Sequence, residues 1–140
     1  MLRSLRTLLV VAAVGALATA CGSDSPTSPL TPASVAGTYN LKSYNGATIP
    51  ALISNGNPRL EVLGDQVVVN ANGTWTETAT VRTTDVTGAV TSVENSSGTF
   101  TIDGATVGFK DNADGLVTVA VFSGITFTVS QGPLTLIYSK

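Results

Sequence analysis

The chain has 140 residues, 43% of them hydrophobic and only 11% charged, with seven basic against nine acidic side chains and a formal net charge of −2. It holds no histidine and one cysteine, Cys21. These counts exclude Ser–His and Cys–His hydrolases, most zinc and copper sites and an internal disulfide, and the acidic balance argues against nucleic acid as a partner.

Residues 1–7 carry Arg3 and Arg6 and no acid, and residues 8–17 form an apolar run too short to span a bilayer comfortably. This layout predicts a signal peptide over residues 1–20. Its removal leaves five basic residues in the mature chain. The run closes on Leu17-Ala18-Thr19-Ala20-Cys21, which resembles the bacterial lipobox, with Ala18 where the common pattern has leucine. The resemblance implies that Cys21 receives a diacylglyceryl group and becomes the mature N-terminus. Acylation would also consume a thiol that is a liability outside the cytoplasm, and several acyl chains together anchor essentially permanently. Gly22-Ser23 follow without an aspartate; by resemblance to lipoproteins of double-membraned bacteria this implies the outer membrane rather than the inner. Residues 21–34, rich in Pro, Ser and Thr, read as a semi-extended tether.

From residue 35 to 140, short Thr/Val/aromatic runs alternate with Asn-Gly, Asp-Gly and Ser-Gly, and no window sustains a helical period. Strands are expected at 35–43, 59–63, 67–71, 74–84, 89–95, 98–102, 105–110, 116–123, 124–130 and 134–139. Around Asn72-Gly73, a three-residue loop with Gly73 left-handed sets Val69 opposite Trp75 and Val67 opposite Glu77, pointing Trp75, Glu77, Ala79 and Val81 inward. Asp103-Gly104 as a two-residue turn sets Ile102 opposite Ala105 and Phe100 opposite Val107. Ser123-Gly124 used in the same way sets Phe122 opposite Ile125 and Ala120 opposite Phe127, leaving Val117, Val119 and Val121 on the outside. Leu134, Leu136 and Tyr138 alternate inward. Residues 44–58 read as a long first connection whose apolar middle packs over a barrel end. Eight to ten sequential hairpin strands predict an all-β, up-and-down antiparallel barrel, which removes exposed edges.

Gly37-Thr38-Tyr39-Asn40-Leu41, Asn45-Gly46-Ala47-Thr48-Ile49-Pro50, Asn72-Gly73-Thr74-Trp75, Ser97-Gly98-Thr99-Phe100-Thr101-Ile102 and the closing Leu134-Thr135-Leu136-Ile137-Tyr138 together resemble the small lipocalin-like domains of bacterial lipoproteins. The similarity covers residues 35–140 and implies a barrel; it supplies no catalytic residue.

The chemistry of the remaining motifs is sparse. Asp111-Asn112-Ala113-Asp114-Gly115 gathers oxygen ligands, but Ala113 stands at the third position and no acid follows to close a calcium cage, so an acidic turn is the expectation. Glu61, Glu77 and Glu94 have no hydrolase spacing. No cofactor, metal or catalytic residue is expected. Two readings of function remain. One is a carrier or sensor holding a small apolar or amphipathic molecule in the barrel mouth near Tyr39, Trp75, Glu77 and Tyr138. The other is an envelope interaction protein, an inhibitor or assembly accessory, using residues 44–58 or the outer valine row. Glu77, with no basic residue on its face of the strand, is expected near the open end.

Overall fold

The computed structural model describes residues 29–140. The expected signal peptide, Cys21 and most of the expected tether lie outside the described residues. Ten strands follow in order: β1 Gly37–Tyr44, β2 Ala47–Thr48, β3 Ala51–Ser54, β4 Arg59–Val69, β5 Thr74–Asp85, β6 Gly88–Asp103, β7 Thr106–Asp111, β8 Val117–Ser123, β9 Thr126–Gln131 and β10 Leu134–Ser139. They form one antiparallel sheet in the order β2-β1-β10-β9-β8-β7-β6-β5-β4-β3. It closes because Gly37–Asn40 of β1 also pairs with Val69–Gln66 of β4. Eight strands therefore make an up-and-down barrel, and β2 and β3 are additions to β1 and β4.

Antiparallel order gives the barrel two ends. The lower end carries the start of β1, the turns after β4, β6 and β8, and the C-terminus; the upper end carries residues 45–58 and the turns after β5, β7 and β9. At the upper end the bulge after Leu41 carries the upper half of β1 away from β4. The short β2 and β3 occupy the resulting gap, with Ala51 buried and Ile49 and Ile53 against the core. The apolar middle of residues 44–58 thus reaches the core as strands paired to β1 and β4, which satisfy backbone groups a loop would leave open, and not as a loop over a barrel end.

The loop after β4 follows the sequence reading. Asn70 N–H bonds the Thr74 carbonyl at 2.9 Å, Gly73 has φ of +87°, and Val69 pairs with Trp75 and Val67 with Glu77. The other two hairpins differ from expectation by two residues. Ile102 pairs with Val107 and Phe100 with Phe109; Phe122 pairs with Phe127 and Ala120 with Val129. The central turn residues are Gly104-Ala105 and Gly124-Ile125, each glycine at φ of +59°. A glycine in the first central position is what a type II′ turn requires, so the chain uses Gly-X in place of Asp-Gly or Ser-Gly. In each, the threonine after the turn, Thr106 or Thr126, donates its hydroxyl back to the Asp103 or Ser123 carbonyl, at 2.7 and 2.9 Å. Because side chains alternate with period two, a two-residue shift preserves the facing, and Phe100, Val107, Phe122 and Phe127 are buried.

Two pairs of expected strands are each one strand. β4 runs through Gly64 with a bulge between Val62 and Gly64, and β6 runs through Ser96 and Ser97. Pro32–Val35, at the end of the expected tether and the start of the expected first strand, form a single helical turn. Thr31 caps it: its hydroxyl accepts from Ser34 N–H at 3.1 Å, while Thr31 N–H donates to the Ser34 hydroxyl at 2.8 Å. Val35 is buried, Leu30 packs against the core, and the Tyr39 hydroxyl donates to the Val35 carbonyl at 2.8 Å. The residues preceding β1 therefore plug the lower end.

Candidate functional site

The barrel interior has two halves of different chemistry. In the lower half Tyr39, Trp75, Phe100, Phe109, Phe122, Phe127 and Tyr138 converge, with ring centroids 4.6 Å apart for Phe127–Tyr138, 5.0 Å for Tyr39–Phe127 and 5.8 Å for Trp75–Phe109. These offset and edge contacts are favourable beyond the area they bury. The Trp75 indole N–H is shared between the Thr99 carbonyl at 3.1 Å and the Lys110 carbonyl at 3.3 Å. The ring lies over Gly98, where any Cβ would meet the Lys110 carbonyl oxygen at 1.8 Å and Trp75 Nε1 at 2.8 Å. Lys140 extends across the lower end with its ammonium 5.0 Å from the Tyr39 ring centre.

The structure thus brings together three of the four residues expected at a barrel mouth, Tyr39, Trp75 and Tyr138, but as core. Each is at most 1% exposed. Glu77 sits inside the wall between them and the upper half, 2% exposed and across from Val67 and Ser96. It is therefore within the barrel and not at its rim.

The upper half contains an acid the sequence reading missed. Asp65, paired with Ala79 and diagonal to Glu77 across β4 and β5, is 5% exposed. Its Oδ2 accepts from the Tyr138 hydroxyl at 2.6 Å, while its Oδ1 has no hydrogen bond. Burial raises its pKa to about 6, against the opposing effect of the Tyr138 bond. Burial, with the Asp65 charge and hydrogen bond, pushes the Tyr138 phenol well above its ordinary value, so it stays the donor. Asp65 falls in the gap between the strands expected at 59–63 and 67–71. The detectable signal was the period of two running back from Val69 through Val67 to Asp65, which continues the strand instead of breaking it.

Basic groups keep to the outside. Arg59 and Arg82 both bond Glu61 on the outer face, at 2.9 and 2.7 Å, and the Arg82 hydrogen bond leads in holding the Glu61 carboxyl below its usual range. Lys42 and Lys110 are exposed. In the loop after β7, Asp111 and Asp114 each accept from a backbone N–H two residues on, Ala113 and Leu116, both at 2.8 Å, which are Asx turns. Among the described residues no group of three acidic, histidine or cysteine side chains is placed to hold a metal.

An apolar recess of about 820 Å³ opens at the lower end between residues 29–32 and the turns after β6 and β8, with Leu30, Pro32, Phe100, Ile102, Ala105 and Phe122 on its walls. Its size falls within the span typical of small-molecule sites. Among the described residues no charged side chain lines it. Compared with protein-family models, with curated proteins and with solved structures, the chain matches none.

Proposed function

We propose that this protein is a lipid-anchored cell-envelope lipoprotein whose lipocalin-like barrel holds a small apolar or amphipathic molecule. The observation carrying the ligand reading is the recess at the lower end, which is apolar, uncharged and large enough for one such molecule. It relocates the ligand from the aromatic interior, where Tyr39, Trp75 and Tyr138 pack on other side chains, to the space between the chain leading into β1 and the hairpin tips. The anchor reading rests on the lipobox resemblance at Cys21 and on the Pro/Ser/Thr stretch that follows. The reading is of a binding protein.

The test is titration of the protein with a fluorescent long-chain fatty acid. One saturable site per chain is expected. Ala105→Trp, at an exposed turn position on the recess wall, should fill the space and weaken binding at least tenfold with an unchanged melting temperature. Saturable binding untouched by Ala105→Trp, or no binding by the parent chain, would overturn the recess assignment.

A second reading has its own observation. The hairpin of β5 and β6 projects beyond the upper end and exposes Val86 at 90%, Val90 at 68% and Val93 at 58%. Exposed branched residues on a projecting hairpin suit a protein partner. Replacing all three by serine should leave fatty-acid binding intact while abolishing capture of any envelope partner that the parent chain retains.

A further inference from the structure

The wall formed by strands β7 to β10 carries no acidic side chain on its outer face. Its outward positions are Thr106, Gly108 and Lys110 on β7, three valines and Ser123 on β8, Thr126, Thr128 and Ser130 on β9, and Thr135, Ile137 and Ser139 on β10. None is acidic, although acids outnumber bases in the described chain, and the one charged side chain is Lys110, paired with Val117. The valines form a crest. Val117, Val119 and Val121 are 55%, 52% and 52% exposed, and Ile125 at the next turn is 62% exposed.

The neighbours make the crest stand proud. Val119 lies beside Gly108, which has no side chain, and Val121 lies between Thr106 and Thr128. Valine suits a pleated strand whatever it faces. That preference explains one exposed valine more readily than three in a row, with Ser123 between them and Ile125, on strands whose outward positions hold no acid; Asp103 and Asp114 lie in the adjoining turns. The crest runs the height of the barrel and ends at Ile125, at the same lower end where the chain arrives from Cys21. Cys21 lies eight residues before Pro29, a distance of at most about 26–29 Å even fully extended.

We infer that this wall rests on a lipid surface: the crest Val117-Val119-Val121-Ile125 sits at the level of the headgroups of an anionic bilayer, and Lys110 meets their phosphates. The inference rests on the anchoring of Cys21, which brings that bilayer within reach. A row of branched apolar side chains with a lysine and no acid among the strands' outward positions is the chemistry of interfacial association, and a second contact besides the anchor would fix the orientation of the barrel. In that pose the recess opens beside the membrane, where amphipathic molecules reside.

The test places an environment-sensitive dye at Val119→Cys in the full chain, its Cys21 thiol consumed by lipid, reconstituted into vesicles of phosphatidylglycerol and phosphatidylethanolamine. Thr91→Cys, on the outer face of β6, serves as the comparison. The dye at 119 should shift to the blue and be quenched by headgroup-level nitroxide lipids at least threefold more than the dye at 91, and Lys110→Glu or all-zwitterionic vesicles should reduce that difference. Equal emission and quenching at 119 and 91 would overturn the inference. The mass of the Cys21 peptide reads the anchor separately. If it carries no lipid, the unlipidated chain is floated with the same vesicles. Flotation lost in Val119→Asp/Val121→Asp then supports the docking face, and flotation unchanged or absent overturns it.

Discussion

The Tyr138 hydroxyl on β10 donates to Asp65 Oδ2 on β4 at 2.6 Å, joining two buried side chains 73 positions apart. It is a polar tie across the barrel interior, and it leaves the other carboxylate oxygen, Oδ1, without a hydrogen bond. Removing the donor while keeping the acid should therefore cost more than an ordinary hydrogen bond. Tyr138→Phe is expected to destabilise by about 1–3 kcal/mol in urea unfolding. Tyr138→Phe combined with Asp65→Asn should recover part of that loss, since no charge then remains to be buried.

Asp65 also sets a pH dependence whose sign follows from its raised pKa. Between about pH 4 and 6 the folded chain holds the Asp65 proton that the unfolded chain has released, so stability falls as pH rises through this window and levels off above it. The magnitude is on the order of 3 kcal/mol for a shift of about two units. The outer carboxyls Glu61 and Asp85 are held low, chiefly by bonds from Arg82 and Thr87, and act in the opposite sense only as pH falls below their ordinary values. Unfolding measured at pH 4, 5, 6 and 7 should show the decline in the parent chain and a smaller decline in Asp65→Asn.

Phe100 and Thr101 are chain neighbours on opposite faces of β6. Phe100 is buried with its ring 6.1 Å from Phe109, whereas Thr101 is exposed. Phe100→Ala should cost about 3–5 kcal/mol, enough to unfold a marginal domain, and Thr101→Ala should stay within about 0.5 kcal/mol. Thermal melts of the two variants decide this, and equal effects would contradict the facing.

Two glycines should fail for different reasons. Gly98→Ala forces a methyl group into the Lys110 carbonyl and the Trp75 indole, so Trp75 must move, and its emission should shift to the red with the chain largely unfolded. Gly124→Ala meets open space but keeps φ at +59°. That costs about 1–2 kcal/mol of backbone strain and should leave Trp75 emission unchanged.

Cys21→Ser removes the only thioether-forming residue in the chain. Expressed in a double-membraned bacterium, the variant should leave the membrane fraction for the soluble one, with mass spectrometry distinguishing processed chain from retained precursor.

The sequence by itself determined the class of fold, the facing of nearly every strand and one register. Those are local properties: alternation with period two says which side chains share a face, and the Ala71-Asn72-Gly73 loop admits only the pairing that puts Val69 opposite Trp75. Facing survives an error of two residues, which is why Phe100 and Phe127 were legible as core although their partners across the turns were not. Those partners depend on which residue takes the positive φ at the start of each turn, and dipeptide preference does not decide that. What only the tertiary structure decided is whatever depends on closure. The pairing of Gly37–Asn40 with β4 makes the sheet a barrel. Closure moves Tyr39, Trp75 and Tyr138 from an imagined mouth into an aromatic core, carries Asp65 inside on one continuous strand where sequence shows two, and folds residues 30–35 under the lower end to form the recess. Each of these joins residues far apart in the chain, so no window of sequence contains both partners. The packing that places a side chain at a core, a rim or a recess exists only once the last strand has met the first.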